Sequence, residues 1–130
     1  MLSPLIMTKI RVLLIEDHPE VLKRIANRLA QETDIEVAGK ASTGVEAVKL
    51  AKKINPDLIL IDPITDDGSG MATLDKLRDA FPSIAVVVLT AVVDTALQIK
   101  LQKLGIRSIL EKGLNSKRLI RELRTTNINE

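Results

Sequence analysis

Five apolar runs separated by amphipathic stretches constrain the fold of this chain more than any other feature of its sequence. The runs cover Ile10–Ile15, Ile35–Gly39, Leu58–Asp62, Ile84–Thr90 and Arg107–Leu110. Short continuous apolar runs are typical of strands that are buried on both faces, and such strands occur in parallel sheets covered by helices. The alternation therefore predicts an α/β protein with helices packed on both sides of a five-stranded parallel sheet.

The stretches between the runs repeat their apolar residues with helical spacing. The predicted core-facing stripes are Leu22/Ile25/Leu29, Val45/Val48/Ala51, Met71/Leu74/Leu77/Phe81, Val93/Leu97/Leu101/Leu104 and Leu119/Ile120/Leu123. Thr43 and Glu46 have the spacing of a capping box, and Pro56 and Pro82 each separate a helix from the next strand. Right-handed crossovers then favour the flavodoxin-like (βα)5 three-layer sandwich with strand order 2-1-3-4-5.

The fourth helical stretch carries a second apolar stripe, formed by Val92, Ala96 and Ile99. A helix that covers one edge of a sheet needs only one apolar face. Two interpretations remain open: the helix is wedged deeply with both stripes partly buried, or the second stripe is an exposed surface that meets a partner.

Length and composition indicate one domain and exclude several classes of protein. The chain has 130 residues, a net charge of +2 and no cysteine, so a disulfide framework is excluded and nucleic-acid binding within this chain is not expected. No apolar run approaches the roughly 18 residues of a membrane span, and a cytoplasmic protein without membrane contact is expected. Residues 1–8 are predicted to be an N-terminal extension, disordered or vector-derived. Residues 9–124 form the domain, whose last helix covers about Ser116–Arg124, and residues 125–130 are a polar tail or the start of a linker.

Polar residues follow the apolar runs at the ends of the predicted strands. Glu16 and Asp17 follow the first run, and Asp62 ends the third. Since the strand order places the first and third strands side by side, three carboxylates are expected in one crevice. Their mutual repulsion is costly unless a cation or a proton relieves it. Thr90 and Lys112 stand at the ends of the fourth and fifth strands.

Five short blocks resemble the signature of a known family. They are Ile15-Glu16-Asp17-His18-Pro19, Asp57–Asp62, Gly70-Met71, Leu89-Thr90-Ala91 and Leu110-Glu111-Lys112-Gly113. In this order, at strand ends, the blocks resemble the receiver domain of bacterial two-component response regulators, a CheY-like fold. The Asp-His-Pro and Lys-Gly blocks are most similar to receivers of the NarL/LuxR-type regulators, which carry a helix-turn-helix output domain.

The resemblance implies a role for each polar residue of the crevice. Asp62 would be the phosphoacceptor, which receives a phosphoryl group from a sensor histidine kinase. Asp17 would bind Mg²⁺ directly and Glu16 through water, and the backbone carbonyl of Ile64 would complete the protein ligands together with Asp62. Magnesium suits such a site because it prefers oxygen ligands and retains several waters.

Two further roles follow from the same resemblance. Lys112 would pair with a phosphoryl oxygen and Thr90 would donate its hydroxyl to another. A receiver is not an enzyme in the usual sense, because it catalyses only its own phosphorylation and dephosphorylation. The phosphorylated site would shift the face formed by the fourth helix, fifth strand and fifth helix, through which a homodimer or a downstream protein would bind; a DNA-binding output domain would belong to a longer parent protein.

Several positions depart from the family pattern. Pro63 removes a backbone N–H next to the acceptor, and Asp66 and Asp67 add negative charge where receivers usually have other residues. Ile109 stands where receivers usually carry an aromatic residue that swings inward when the threonine moves. These departures motivate a second hypothesis, a receiver-like module that binds proteins or dimerises without phosphorylation through Val92, Ala96 and Ile99.

Other interpretations of the acids are also open. Asp17 is a suitable N-cap for the first helix, and His18, the only histidine, is interpreted as a loop residue rather than a metal ligand. An aspartyl phosphatase is a third hypothesis, but such enzymes place a second Asp two residues after the first, where this chain has Ile64. The sequence does not identify the kinase, the output or the oligomeric state.

Overall fold

The computed structural model describes residues 8–129 and contains five strands and five helices in strict alternation. The strands are β1 (Ile10–Ile15), β2 (Ile35–Ala41), β3 (Leu58–Ile61), β4 (Ala85–Thr90) and β5 (Ser108–Glu111). The helices are α1 (Pro19–Leu29), α2 (Gly44–Ile54), α3 (Gly70–Ala80), α4 (Thr95–Lys103) and α5 (Ser116–Asn129). The predicted N-terminal extension lies almost wholly outside the described residues. Within those residues, no helix has the length and apolar character needed to cross a membrane.

All strand pairings in the sheet are parallel, and the order is β2-β1-β3-β4-β5, which confirms the predicted topology. Ile15 pairs with Ile61, and Ile61 pairs with Val88. This register brings the C-terminal ends of β1, β3 and β4 to the same edge of the sheet. Residues that follow these three strands are therefore neighbours in space.

The core consists of two apolar clusters, one on each face of the sheet. Alternate residues of β1 contribute to opposite clusters: Leu14 belongs to the cluster that contains residues of α1 and α5, and Leu13 belongs to the cluster that contains residues of α2, α3 and α4. Both side chains are almost completely buried. Because burial of one Leu or Ile contributes about 1.5–3 kcal/mol, the two layers together fix each strand against slipping by one residue.

Helix α4 begins later than its apolar pattern predicts. Asp94 is its N-cap and accepts a hydrogen bond from the Leu97 N–H at 2.8 Å, so Val92 and Val93 precede the helix instead of forming its first turn. Leu97 and Leu101 are buried as predicted. The second stripe is exposed, so the interpretation of a deeply wedged helix is wrong, and binding of a partner by this stripe stays a prediction.

Three other helices differ from prediction in detail. In α2 the capping box is present, with Thr43 accepting from the Glu46 N–H, but Val45 is 70% exposed and Ala47 takes its place in the core. Helix α5 continues to Asn129 and does not end at Arg124, because residues 125–129 contain no Gly or Pro that would stop it. In α1 the N-cap is His18, not Asp17.

Candidate functional site

The three acids meet because the backbone places them side by side. The N–H of Asp62 donates to the carbonyl of Ile15 at 3.1 Å, so the residue after β3 is bonded to the last residue of β1. Glu16 and Asp62 are only 2% and 6% exposed, and Asp17 is half-buried between them and solvent. The predicted crevice of three carboxylates is therefore present.

Lys112 supplies the cation that this crevice requires. Its Nζ donates to Glu16 Oε1 and to Asp62 Oδ2, both at 2.6 Å. Burial would by itself lower the pKa of the ammonium, but the hydrogen bonds and negative charges of Asp62 and Glu16 outweigh it and raise this pKa. Lys112 thus remains charged at neutral pH and offsets part of the repulsion between the acids.

Because Ile61 pairs with Val88, Asp62 lies opposite Leu89, and Thr90 is the next residue along β4. It ends β4, it is 1% exposed, and its carbonyl accepts from the Lys112 N–H at 2.7 Å. This bond fixes the backbone of the amine-bearing residue to the backbone of the hydroxyl-bearing residue. The positions predicted for Asp62, Thr90 and Lys112 are thereby linked along one edge of the sheet.

The segment between β3 and α3 holds two of the carboxylates through its backbone. The N–H of Ile64 donates to Asp62 Oδ1 at 2.9 Å, and the N–H of Asp66 donates to Asp17 Oδ2 at 3.0 Å. Pro63 has no N–H, but the Ile64 amide reaches the carboxylate of Asp62 in its place. The side chain of Ile64 is half exposed, and the ligand role of its carbonyl stays a prediction.

The two extra acids of this segment have different surroundings. The side chain of Asp66 is 82% exposed, and its Oδ2 lies 3.1 Å from His18 Nε2. Asp67 lines the same cavity as Asp17 and Asp62. Its Oδ1 accepts hydrogen bonds from Ser69 and Thr65, which lower the pKa of its carboxyl group. Asp66 is paired with His18 at the edge of the acid cluster, whereas Asp67 is bonded within its own loop.

His18 is part of the site, although the sequence interpretation treats it as a loop residue. Its Nδ1 lies 3.0 Å from Glu16 Oε2 and 3.2 Å from Asp17 Oδ1. The hydrogen bond with Glu16, followed by the charges of Asp17 and Asp66, raises the pKa of the imidazole. Its position directly after two acids and before the helix-starting Pro19 is the signal that could have placed it there.

The donor set fits a divalent cation. Glu16, Asp17 and His18 each offer one ligand atom, and these three atoms lie within 4.8 Å of one another. Asp17 Oδ1 is buried and accepts no hydrogen bond among the described residues, although His18 Nδ1 lies 3.2 Å from it, so this oxygen has lone pairs available. An oxygen-rich cluster of negative charge suits Mg²⁺. A cavity of about 190 Å³ lined by Asp17 and Asp62 leaves room for the ion and its waters.

Three of the four predicted interaction residues are exposed, and the fourth is half-buried. Val92 is 68% exposed and Ile99 is 47% exposed, and Ala96 lies between them on the surface of α4. Ile109 is half-buried on β5, where it pairs with Val88. The role of these residues in binding a partner stays a prediction.

Comparison with known proteins identifies the family. The family model of the response regulator receiver domain matches residues 12–124, so this chain belongs to the response regulator receiver domains of two-component signalling. Among its relatives is the response regulator protein VraR of Staphylococcus aureus, 31% identical over 121 residues; the match covers 93% of this chain and 58% of VraR. The chain thus spans little more than half the length of this relative.

Solved structures show the same fold. The signal receiver domain of the putative response regulator NarL from Mycobacterium tuberculosis matches with a TM-score of 0.85 at 21% identity, covering 95% of this chain and 99% of that one. A CheY-like receiver domain from Methanospirillum hungatei matches with a TM-score of 0.82 at 20% identity, covering 94% and 95%. At these identities the likeness concerns the fold and not the partners.

Proposed function

We propose that this chain is a phosphorylatable receiver in which a sensor histidine kinase transfers a phosphoryl group to Asp62. The observation that carries the proposal is the pair of 2.6 Å contacts from Lys112 to Glu16 and Asp62. This arrangement combines a carboxylate nucleophile with a fixed cation, as phosphoryl transfer to an acid requires. Family membership favours the same function over an aspartyl phosphatase.

Three side chains of the site would each have a separate role in the phosphoryl transfer. An oxygen of Asp62 attacks phosphorus, the bond from phosphorus to the kinase histidine breaks, and an aspartyl phosphate forms. Lys112 has three N–H donors, of which two are used by the acids, and it would donate to a phosphoryl oxygen. Thr90, one residue beyond the level of Asp62, would donate its hydroxyl to another oxygen.

The site needs a divalent cation because the incoming phosphoryl group adds charge to a cluster that is already acidic. We assign Asp17 and Asp62 as direct ligands, Glu16 as a ligand through water, and the carbonyl of Ile64 as the last protein ligand. When bound, Mg²⁺ would neutralise the phosphoryl oxygens. The buried Asp17 Oδ1, which lacks a hydrogen-bond partner among the described residues, supports this assignment.

Phosphorylation would bias a pre-existing equilibrium of the surface formed by α4, β5 and α5. Attraction of Lys112 and Thr90 to the new dianion would supply the bias, and a few kcal/mol suffices to reverse populations that start near 1:10. Since Ile109 cannot reproduce the rotation of an aromatic ring, the movement would be carried by the β4–α4 segment. The proposed location is cytoplasmic, as is typical of receiver domains.

Intact mass measurement tests the proposal. After incubation with acetyl phosphate and Mg²⁺, the wild-type chain should gain one phosphoryl group, and the gain should be abolished by EDTA and by Asp62→Asn. Asp57→Asn, which changes an exposed acid on the preceding segment, is the matched control and should leave labelling intact. Labelling that persists in Asp62→Asn would disprove the assignment of the acceptor.

The exposed apolar surface on α4 favours a second candidate function, a dimerisation or docking module that does not need phosphate. Val92 and Ile99 are two of the exposed large apolar residues of this chain, and together with Ala96 they form an apolar stripe. If Val92, Ala96 and Ile99 form a constitutive dimer surface, sedimentation of the unphosphorylated chain should show a dimer that Val92→Glu dissociates. A monomer unaffected by Val92→Glu would rule out constitutive self-association.

A further inference from the structure

The segment from Pro63 to Ser69 forms a closed loop with its own hydrogen-bond network. Asp67 Oδ1 accepts from Thr65 Oγ1 at 2.9 Å, from the Ser69 N–H at 3.0 Å and from Ser69 Oγ at 2.7 Å. Thr65 Oγ1 in turn accepts from the Gly70 N–H at 2.9 Å. One carboxylate oxygen therefore organises both halves of the loop.

The two ends of this loop touch each other. A Cβ added to Gly70 would collide with the carbonyl group of Pro63. Gly68, with φ of +78°, makes the turn between them, a conformation that glycine adopts readily. The loop is thus closed at its base by a glycine contact and across its middle by Asp67.

Two backbone N–H groups of the closed loop donate hydrogen bonds to carboxylates of the acid crevice. The Ile64 N–H binds Asp62 Oδ1 and the Asp66 N–H binds Asp17 Oδ2. Two carboxylates from different strands are thereby held by N–H groups only two residues apart. The amide of Asp66 occupies Oδ2 of Asp17, and the buried Oδ1 is left without a hydrogen-bond partner in the described part of the chain.

We propose that Asp67 is a positioning residue for the cation site: it holds the loop so that the Asp66 amide orients Asp17 toward the bound cation. Asp67 does not touch the cation, and it acts through the backbone. This inference rests on the proposed function, since it assumes that Asp17 is a cation ligand. It gives a role to one of the residues by which this chain departs from the family pattern.

The competing explanation is electrostatic, because Asp67 is also a negative charge near the site. Asp67→Asn and Asp67→Ala separate the two. The Asn side chain keeps an Oδ1 that accepts the same three hydrogen bonds but carries no charge, whereas Ala removes both. Thr65→Val breaks the same network at another point without changing the charge.

NMR titration with Mg²⁺ alone gives the affinity, and hydrogen exchange of the Asp66 amide without Mg²⁺ reports the loop. In Asp67→Ala and Thr65→Val we expect affinity to fall about tenfold, as when a residue that orients a ligand is removed, together with faster exchange of the Asp66 amide. In Asp67→Asn both should stay close to wild type. Asp79→Ala, an exposed acid on α3, is the control for loss of a surface charge.

Each result has a definite meaning. If Asp67→Asn and Asp67→Ala lose Mg²⁺ affinity equally and Thr65→Val has no effect, the negative charge of Asp67 is what matters, and the positioning role is overturned. Unchanged affinity in every variant would overturn it as well, while leaving phosphorylation of Asp62 intact. A wild-type chain that binds no Mg²⁺ would overturn this inference and the proposed cation site together. If Asp67→Ala fails to fold, Thr65→Val decides the question.

Discussion

Replacing Lys112 by Met removes the only cation that contacts both Glu16 and Asp62 among the described residues. The side chains of the two acids are 1% and 5% exposed, so water cannot replace the lost ammonium efficiently. Breaking a fully buried pair by deleting one partner costs about 3–5 kcal/mol. Because Lys112 is itself 22% exposed, we expect a cost below this range, about 2–3 kcal/mol.

The pH dependence of this loss follows from the raised pKa of Lys112. A cation whose folded pKa is raised stabilises the fold fully below its unfolded pKa, about 10.4 for Lys, and loses that contribution as pH rises through the folded value. At pH 7 the difference between wild type and Lys112→Met should therefore be complete. Above pH 7 it should shrink only in strongly alkaline solution.

Thermal unfolding followed by circular dichroism, in EDTA and again in excess Mg²⁺, measures the effect. For a domain of this size 1 kcal/mol corresponds to about 4 °C in Tm, so Lys112→Met should melt about 8–12 °C lower in EDTA. Mg²⁺ should recover more stability in the variant than in wild type, because the ion takes over the lost charge. Lys76→Met on the exposed side of α3 is the control. A variant as stable as wild type in EDTA would refute the account of the crevice given above.

Three other changes test separate parts of the structure. His18→Gln should weaken the pH dependence of Mg²⁺ binding. In wild type the protonated imidazole, whose pKa is raised, competes with the ion, so the affinity for Mg²⁺ should rise as pH increases through that pKa. An unchanged pH profile of Mg²⁺ affinity in the variant would exclude this competition. Arg124→Met removes the 2.7 and 2.8 Å contacts to Asp34 and should cost no more than about 1 kcal/mol at pH 7. That loss of stability should fade in acid, because the pKa of Asp34 is lowered and the stabilisation by its carboxylate vanishes as pH falls through the folded pKa. Urea titrations at pH 7 and pH 3 measure the loss in the variant. Equal losses of stability at both pH values would contradict the prediction. Gly70→Ala should lower Tm because its Cβ meets the Pro63 carbonyl, whereas Ala at Lys76, which is exposed on the same helix, should not.

The sheet and the acid crevice were predictable because both depend on short-range patterns. Each buried strand reads as a continuous apolar run, and parallel strands bring their C-terminal residues to one edge whatever the loops do. Glu16, Asp17 and Asp62 follow two adjacent strands, so topology alone brings them together. Lys112 was predictable as a partner only through the family resemblance, since a lysine after an edge strand is otherwise an ordinary surface residue.

Details that depend on side-chain competition were not predictable. Val92 and Val93 fit the apolar stripe of α4, yet Asp94 caps the helix and excludes them, because a carboxylate that satisfies an N–H outweighs periodicity at a helix start. The network around Asp67 requires knowledge of which way a loop carboxylate turns. His18 could be read as a loop residue from sequence, but its contacts with acids on two segments appear only in three dimensions.

The Lys112 contacts have a mechanical consequence for the rim of the sheet. β5 is a four-residue border strand, and the residue after it is tethered to groups that follow β1 and β3, although β4 lies between. Any group that draws the Lys112 ammonium away from Glu16 would remove one of the contacts that hold the C-terminal end of β5. A binding event in the crevice would therefore make this edge strand more mobile.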